Sequence, residues 1–573
     1  GTAGEAGVGL ASIVRPGATV LIKPNIVGPS VPGGGRITDY RVVQELVNLA
    51  REAGARRVIV AEDPVDSSWD YAFTVAGYKR ISGAELYDLD AKASECYEVQ
   101  LDPSLSLTGH SWYMPRIWFD ADVIIDVAIM KTHSNAGVTL ALKNIGIGVP
   151  PQSVYAPRPG GSKNILHDRN IDLVIPEINA LRRADLYVID GMVAGEGEGP
   201  VTPTPRRMNL VLASRDPVAL DTIATLVMGY DPADIAHIVY AAGLGLGTND
   251  PARITVVGQP LSAVRADPPF VRPRPGGGTP YKRATVILRA VHPVKVDGRL
   301  EAAEWETGAP PLAPAELAAP NTAGPAGQVA TGQVVEGKTH WKGPSDASAR
   351  FYLRYDDDHL YFAIELNDDA IVPGPGAPAG TTAGTGRTVN TAGATGDQIR
   401  IRLGAREKPL ATATKPVGLF TFVIPGVAVK GTAAVGVPTS TPTLIYLREE
   451  SSSRTTPAPA LVAIPGAQAC WRRNENDTGA AGRRQSAGSA GPGYAWIVEG
   501  FIPLESVAKL PAVQQNKDKQ YFLNHLLHRG REIAFDVEFL DVDSGEPSPS
   551  LLIWSGGGRL PFDRVEMGRA LFL

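Results

Sequence analysis

Short apolar runs alternate with helical segments through the first 265 or so residues, and this alternation restricts the fold more than any other feature of the chain. The apolar runs lie at residues 18–22, 57–61, 86–89, 122–130, 186–189, 209–213 and 253–257. Amphipathic stretches between them, such as residues 171–183, have the apolar spacing of helices. Residues 138–145 are also predicted to form a helix, which Gly146 would end. Because strands separated by helices usually pair in parallel, we predict a Rossmann-like α/β domain over residues 1–261, with a mostly parallel sheet and helices on both faces.

Composition excludes several classes of protein. A length of 573 residues exceeds what one hydrophobic core usually serves, which predicts more than one domain. The net charge of −5 provides no positive field for a nucleic acid, and no apolar run approaches the roughly 18 residues that span a bilayer. Cys96 and Cys470 are the only cysteines, too few for an iron–sulfur cluster. They are expected to be free and buried, with a disulfide across the domains as the alternative. We therefore predict no nucleic-acid partner and no membrane span.

Polar side chains collect directly after the predicted strands of the first half. They are Lys23 and Asn25, Glu62 and Asp63, Lys131 and His133, Asp190, and Arg215 with Asp216. Loops that follow strands are often polar, so a single such residue carries little weight. The carboxyl ends of parallel strands meet at one edge of a sheet, however, and ligands bind there in open α/β folds. The recurrence of the pattern therefore predicts a cleft at this edge.

The residue types in this predicted cleft suit an anion. Lys23, Lys131 and Lys143 would form a positive pocket for a phosphate or a carboxylate. Asn25 and Asn144 would orient the ligand through hydrogen bonds, and Lys131 is also a candidate catalytic residue. A solvated position on a helix is the alternative for Lys143.

Histidines and carboxylates nearby supply further candidates. His133 or His167 would act as a general base, because imidazole titrates near neutrality. Asp190 joins the ligand-binding set, and Asp216 and Asp221 are candidate ligands of a divalent metal. The alternatives are structural: Asp216 precedes a proline and a helix and fits an N-cap, and Asp221 would interact with the helix dipole.

A family resemblance rests on several short motifs that occur in a fixed order. They are Lys23-Pro24-Asn25, Lys131-x-His133, Leu142-Lys143-Asn144-x-Gly146, Asp190-Gly191 and Asp216-Pro217-Val218-Ala219-x-Asp221. Together they make residues 15–250 resemble the domain of unknown function 362 family. The resemblance implies an α/β domain of undefined activity, sometimes fused to ferredoxin-like clusters, for which this chain lacks the cysteines.

The second half of the chain has a different character. Residues 262–284 are rich in proline and glycine and are predicted to be a linker. Beyond them, residues 285–573 contain short alternating runs typical of an antiparallel β-sandwich. Two low-complexity segments, residues 309–332 and 373–396, are predicted to be surface loops.

A second resemblance covers this half. The motifs are Val296-Asp297-Gly298, Glu304-Trp305, residues 355–361, Glu499-x-x-Ile502-Pro503 and Phe535-Asp536-Val537, and they resemble the carbohydrate-binding module family 9. The resemblance implies a secreted or surface β-sandwich that binds sugar ends between aromatic rings and in some members holds calcium.

Individual residues of this half are candidates for those two roles. Trp471, in a polar stretch, is the candidate sugar-binding residue. Asp356 and Asp358, and separately Asp541 and Asp543, are candidate calcium ligands. An ordinary hairpin turn is the alternative for the first pair.

Three functions remain open on these grounds. The first is an extracytoplasmic or cell-surface protein whose α/β domain has an anion-binding cleft, either catalytic or not, and whose second domain tethers it to polysaccharide. The second is a non-catalytic structural protein that self-assembles into an extracellular homo-oligomer or filament. The third is a sugar-binding surface protein. No motif decides whether the chain is an enzyme or which cofactor it would use, with a divalent metal and calcium as the candidates.

Overall fold

The structure is a computed structural model that divides into two compact units, one up to Ala284 and the other from Thr285. It describes residues 9–65, 67–103, 105–156, 162–274, 284–290, 294–297, 305, 333–336, 347–368, 388–389, 398–405, 417–425, 443–448, 461–473, 496–515, 519–520, 523, 532–541, 550–553 and 568–572.

The first unit is built on a mixed, mostly parallel sheet. Its strands are β1 (Thr19–Pro24), β2 (Arg57–Glu62), β3 (Glu85–Asp88), β4 (Cys96–Val99), β5 (Trp112–Pro115), β6 (Val123–His133), β7 (Gly137–Thr139), β8 (Leu186–Glu196) and β9 (Thr204–Ser214). The sheet order is β3-β2-β1-β6-β8-β9, with β7 paired to the end of β6 and with β4 and β5 forming a separate hairpin. All neighbours from β3 to β8 run parallel, whereas β9 runs antiparallel to β8. The α/β prediction is therefore confirmed.

Helices cover this sheet. They are α1 (Tyr40–Glu52), α2 (Trp69–Val75), α3 (Arg116–Asp120), α4 (Ala141–Gly148), α5 (Gln152–Tyr155), α6 (Asn164–Asp168), α7 (Ile171–Leu181), α8 (Pro217–Val227), α9 (Ala236–Gly243) and α10 (Leu261–Val264). Asp39 is the N-cap of helix α1, and its carboxylate accepts a hydrogen bond from the N–H of Arg41. The apolar face of α1 is buried.

Strand β6 lies in the middle of the sheet and is buried along its whole length. Its residues point alternately to two hydrophobic cores, with Ile124 and Ala128 in one and Ile125 and Val127 in the other. Burial on both faces explains why this strand is a continuous apolar run and not an alternating one.

Two predicted elements of the first unit are wrong in detail. Residues 253–257 do not form a strand, because β9 is the sheet edge and Pro251–Arg253 is a 3₁₀ turn. The predicted helix at residues 138–145 begins later, at Ala141, after the short strand β7. Gly146 does not end that helix either. A Cβ atom at Gly146 would lie 2.7 Å from Cα of Ile175, so this glycine permits the close packing of α4 on α7.

The first part of the predicted linker packs on the first unit. Phe270 is 2% exposed, and its carbonyl accepts a hydrogen bond of 2.9 Å from the hydroxyl of Tyr230. The N–H of Ala266 donates to the carbonyl of Val227 at 2.7 Å. Residues 262–274 are thus held by side-chain burial and hydrogen bonds and do not act as a free connector, while residues 275–283 lie outside the described residues.

The second unit consists mainly of strands. They are β10 (Ala284–Arg289), β11 (Gln333–Glu336), β12 (Ala347–Tyr355), β13 (His359–Asp368), β14 (Thr388–Val389), β15 (Gln398–Ala405), β16 (Val417–Pro425), β17 (Thr443–Arg448), β18 (Leu461–Arg473), β19 (Trp496–Pro503), β20 (Glu532–Asp541), β21 (Ser550–Ile553) and β22 (Gly568–Phe572). Helices α11 (Leu504–Ala508) and α12 (Pro511–Gln514) follow β19.

Most strands of the second unit pair antiparallel, among them β12 with β13, β13 with β19 and β15 with β16, whereas β10 pairs parallel with β12 over a short stretch. The prediction of antiparallel strands is therefore confirmed, and the two packed sheets of a sandwich stay a prediction. The predicted loop at residues 309–332 lies outside the described residues, as does the loop at 373–396 apart from β14. Within the described part of the chain, no helix is both long and apolar enough to cross a membrane. Cys96 and Cys470, the two cysteines of the chain, are not joined by a disulfide bond.

Candidate functional site

The order of the strands creates a crevice between β1 and β6. From β1 the sheet continues through β2 and β3 on one side, and from β6 it continues through β8 on the other. Such a reversal of strand order opens a crevice at the carboxyl ends of the strands, where open α/β sheets bind ligands. A cavity of about 350 Å³ lies here, lined by residues that follow β1, β2 and β6 and by residues of α4 and α6. This volume is at the small end of the range for small-molecule sites.

The cavity brings many of the predicted residues together. Its lining includes Asn25, Lys131, His133, Lys143, Asn144 and His167. Lys23 is not part of the lining but is fully buried and hydrogen-bonded to Asn144. Asp190, Asp216 and Asp221 do not line the cavity.

Lys23 is fully committed to a buried ion pair. Its Nζ lies 2.7 Å from Oε2 of Glu62 and also donates to the carbonyl of Pro24 at 3.0 Å and to Oδ1 of Asn144 at 3.2 Å. Glu62 additionally accepts the N–H of Ile26 and of Asp63. Three acceptors saturate the ammonium group, so Lys23 holds the lining residue Asn144 in place and has no donor left for a ligand.

The two asparagines belong to the same hydrogen-bond network. Nδ2 of Asn25 donates to Oδ1 of Asn144 at 2.9 Å, and Nδ2 of Asn144 donates to Oδ1 of Asp126 at 2.8 Å. Burial raises the pKa of Asp126 well above its usual value, despite the opposing charge of Lys23. Asp126 belongs to the buried strand β6 and holds the amide of Asn144 in place.

Lys131 is also held by protein groups. Its Nζ donates to Oδ1 of Asn25 at 3.0 Å and to the carbonyl of Arg36 at 2.6 Å. Burial lowers the pKa of Lys131 well below its usual value, and the positive charge of Lys143 lowers it further. Lys131 therefore orients Asn25.

Lys163, which the sequence reading missed, forms a second buried ion pair. Its Nζ lies 3.0 Å from Oδ2 of Asp63 and donates to the carbonyl of Gly148 at 3.0 Å. Both side chains of the pair are at least 97% buried. Asp63 was visible in the sequence as a strand-end carboxylate, but nothing local indicated that Lys163 would return to it.

Lys143 differs from the other lysines of the cavity. It is 8% exposed and lines the cavity, yet within the described residues its Nζ makes no hydrogen bond and no ion pair. Burial lowers the pKa of Lys143 to about 7, and the positive charges of Lys23 and Lys163 contribute to that shift. Lys143 thus presents an amine that is half protonated near neutral pH and is available to a ligand.

Backbone hydrogen bonds set the tautomers of the two histidines. Nδ1 of His133 accepts the N–H groups of Asn135 and Ala136 at 3.1 and 3.2 Å, which leaves the proton of the neutral ring on Nε2. Nδ1 of His167 lies 3.0 Å from the carbonyl of Lys163 and must donate to it, which leaves a lone pair on Nε2. The rings are stacked, with centroids 6.3 Å apart.

Both rings are neutral at neutral pH. Burial lowers the pKa of His133 well below its usual value, and burial lowers the pKa of His167 to about 4. The positive charge of Lys143 is the second-largest cause of both pKa shifts, so its amine lies near enough to both rings to disfavour their protonation. Neither Nε2 atom has a hydrogen-bond partner among the described residues. The pair therefore offers one N–H donor and one acceptor.

Thr139 adds a hydroxyl that was not singled out in the sequence. It lines the cavity, is 1% exposed, and its Oγ1 has no hydrogen-bond partner among the described groups. Thr139 ends β7 next to the start of α4. The boundary between β7 and α4, which the sequence pattern obscured, explains why Thr139 was missed.

The three candidate aspartates that lie outside the cavity lining, Asp190, Asp216 and Asp221, accept structural hydrogen bonds. Asp190 accepts the N–H groups of Asp39 and Met192, and burial raises its pKa. Asp216 caps α8 by accepting the N–H of Ala219 at 2.8 Å, as its alternative interpretation held. In the described part of the chain, no group of three His, Cys, Asp or Glu side chains could hold a metal ion. The geometry thus gives no support to a metal at Asp216 and Asp221.

Asp221 holds the start of α4 and so positions Lys143. Its two carboxylate oxygens accept the N–H groups of Ala141 and Leu142, each at 2.9 Å. Burial raises the pKa of Asp221 to about 7. These hydrogen bonds tie α4 to α8 below the cavity.

We expect Asp221→Ala to lower the free energy of unfolding by about 2–4 kcal/mol, because two buried N–H groups lose their acceptors. Asp221→Asn keeps one acceptor oxygen and should lose less. Urea denaturation of the full chain, followed by the helical circular dichroism signal, measures both. Equal stability of the alanine variant and the unsubstituted chain would contradict this role.

The candidate residues of the second unit are less fully described. Asp356 accepts the N–H groups of Asp358 and His359, and its Oδ2 accepts the hydroxyl of Tyr361 at 2.6 Å. These bonds fit the hairpin turn between β12 and β13. The side chains of Trp471 and Asp541 lie outside the described residues, as does all of Asp543.

The fold and the cavity define a class: an α/β unit with a small, lysine-rich cavity at the crossover of a mostly parallel sheet. Residues 20–225 match the family model described as a domain of unknown function, DUF362. A thylakoid-associated protein of Synechocystis is 29% identical over 238 residues, which are 42% of this chain and 71% of that protein. The resemblance inferred for the first half is thereby confirmed.

Solved structures give weaker likenesses. The lactate racemase apoprotein of Thermoanaerobacterium thermosaccharolyticum matches at 11% identity with a TM-score of 0.28, over 38% of this chain and 51% of that chain. A candidate carbohydrate-binding protein of Bacteroides uniformis matches at 11% identity with a TM-score of 0.25, over 51% of this chain and all of that chain. At these TM-scores neither likeness carries an argument about this protein.

Proposed function

We propose that the first unit binds a small anion, a carboxylate or a phosphate, in the cavity between β1 and β6, and that Lys143 contacts it directly. The observation that carries this proposal is that the amine of Lys143 has no partner among the described residues, whereas the other lysines around the cavity are engaged. A buried ammonium without a counter-charge is unfavourable, and a bound anion would supply that charge.

The charge balance around the cavity supports an anionic ligand. The pairs Lys23–Glu62 and Lys163–Asp63 each cancel. The carboxylate of Glu62 or Asp63 therefore cannot serve Lys143 without giving up its own partner. The N–H of His133 and the hydroxyl of Thr139 would add neutral hydrogen bonds to the same anion.

Isothermal titration calorimetry at pH 6.5 with oxalate and with inorganic phosphate tests the proposal on the full chain. We expect saturable binding of at least one anion, and Lys143→Met should weaken it by about 10–100-fold, the equivalent of one charge-assisted hydrogen bond. The matched control is Lys79→Met, since Lys79 is a lysine of the same unit that pairs with Asp70 at the surface. Binding that is absent from the unsubstituted chain, or equal in Lys143→Met, would refute the anion site.

For the whole chain we propose an extracytoplasmic location and a sugar-binding second unit, supported by the carbohydrate-binding motifs and by the antiparallel strands. A glycan array probed with the full chain measures the sugar binding directly. Retention on no polysaccharide would favour the structural alternative, in which the chain forms a homo-oligomer or filament, and light scattering would then report particles larger than one chain.

A further inference from the structure

We propose that Lys143 reacts reversibly with the carbonyl group of a small oxo acid bound in this cavity, forming an imine. The inference rests on the anion site proposed above and goes further by naming the ligand class. It begins from the geometry: a lysine amine lines the same cavity as two oriented imidazoles and a threonine hydroxyl, and neither the amine nor the hydroxyl has a protein partner among the described residues.

The amine has the properties that imine formation needs. A lysine attacks a carbonyl only as the neutral amine, and an ordinary lysine is almost entirely protonated at neutral pH. Burial and the neighbouring charges of Lys23 and Lys163 keep about half of Lys143 neutral near pH 7. Lys23 and Lys163 cannot replace it, since each is held in a buried ion pair.

The other polar groups fit the rest of an oxo acid. The hydroxyl of Thr139 is a free donor for the carboxylate. The Nε2–H of His133 can donate to the carbonyl oxygen, and the lone pair on Nε2 of His167 can accept a proton. These roles need no change in the tautomers that the backbone already sets.

The reaction balances without a further reagent. The lone pair of Nζ forms a bond to the carbonyl carbon, and the π pair of the carbonyl moves to its oxygen. A proton passes from Nζ to that oxygen, with Nε2 of His167 as the carrier, which gives a carbinolamine. The lone pair of Nζ then forms the carbon–nitrogen double bond as the hydroxyl leaves, and the remaining proton of Nζ passes to that hydroxyl, again through Nε2 of His167, to give water and a neutral imine. Nothing is oxidised or reduced.

Trapping with glyoxylate tests the inference. The full chain is incubated at pH 7 with glyoxylate and sodium cyanoborohydride, which reduces an imine to a stable amine, and peptide mass spectrometry locates the added carboxymethyl groups. We expect Lys143 to be labelled roughly 10–100-fold faster than the exposed Lys79, because far more of its amine is neutral. Lys143→Met should remove that adduct, and Lys79→Met should retain it.

A competitor separates this inference from the anion site itself. Oxalate carries carboxylates but no aldehyde, so its binding should slow labelling of Lys143 and leave Lys79 unchanged, which requires no substituted protein. Saturable oxalate binding together with equal labelling of Lys143 and Lys79 would overturn the imine and preserve the anion site. Absence of selective labelling, together with absence of binding of both oxalate and inorganic phosphate, would overturn both proposals.

Discussion

Replacing Lys23 with methionine is expected to lower the free energy of unfolding by about 3–5 kcal/mol, the typical result of removing one partner from a buried ion pair. Lys23 is fully buried, and its ammonium group holds Glu62, which is 3% exposed. Without it, the Glu62 carboxylate keeps only the N–H groups of Ile26 and Asp63. Urea denaturation of the full chain, read by the helical signal, measures the loss.

The double variant Lys23→Met with Glu62→Gln is the informative control for this ion pair. It removes both charges, so it should recover part of the lost stability even though two side chains have changed. Lys79→Met breaks an exposed pair with Asp70 and should change stability by only about 0–1 kcal/mol. A Lys23→Met variant as stable as Lys79→Met would show that the network around Lys23 does not support the fold.

The affinity of the cavity for oxalate is expected to fall towards tenfold per pH unit above about pH 7. Below that pH Lys143 is protonated before the ligand arrives, whereas above it each binding event must also take up a proton. Oxalate stays doubly ionised over this range, so its own titration does not contribute. Calorimetry between pH 6 and 9 in buffers of different ionisation enthalpy measures both the affinity and the protons taken up.

Other titratable groups face Lys143 and could contribute to the pH dependence of oxalate affinity, so the measurement needs a control variant. They are Lys23, Glu62, Asp63, Lys131, His133, Lys163, His167 and Asp168. Lys143→Arg keeps a permanent positive charge, so its oxalate affinity should vary little between pH 6 and 9. If the oxalate affinity of Lys143→Arg still depended on pH, the titrating group would be Lys131 and not Lys143, because burial also lowers the pKa of Lys131.

The same titration affects stability with a definite sign. The pKa of Lys143 is lower in the folded chain than its ordinary value of 10.5, so between about pH 7 and 10.5 the unfolded chain binds more protons. Stability contributed by this residue therefore rises with pH across that window and is lowest below pH 7. The unfolding free energy of Lys143→Met minus that of the unsubstituted chain should therefore decrease over the same window. Because the other titrating groups are present in both proteins, this trend isolates the contribution of Lys143.

Particular residues show how far sequence reasoning reached. The apolar run that became β6 was recognisable because a strand buried on both faces must be apolar throughout. The grouping of Asn25, Lys131 and His133 at one edge was expected from the parallel sheet, and all three line the cavity. Asp190 was expected there too, but its carboxylate is turned to the backbone of Asp39 and Met192. The position of a residue after a strand does not determine which groups its side chain will hydrogen-bond.

The sequence by itself determined the six strands β1, β2, β3, β6, β8 and β9 of the main sheet and the edge at which polar groups collect, because burial patterns and strand ends are local properties of the chain. Only the tertiary structure decided which lysine is available to a ligand. Lys23 meets Glu62 across 39 positions and Asn144 across 121, and Lys163 returns to Asp63. The charge state of Lys143 depends on these through-space neighbours, since electrostatic interactions follow distance in the folded molecule and not separation along the chain.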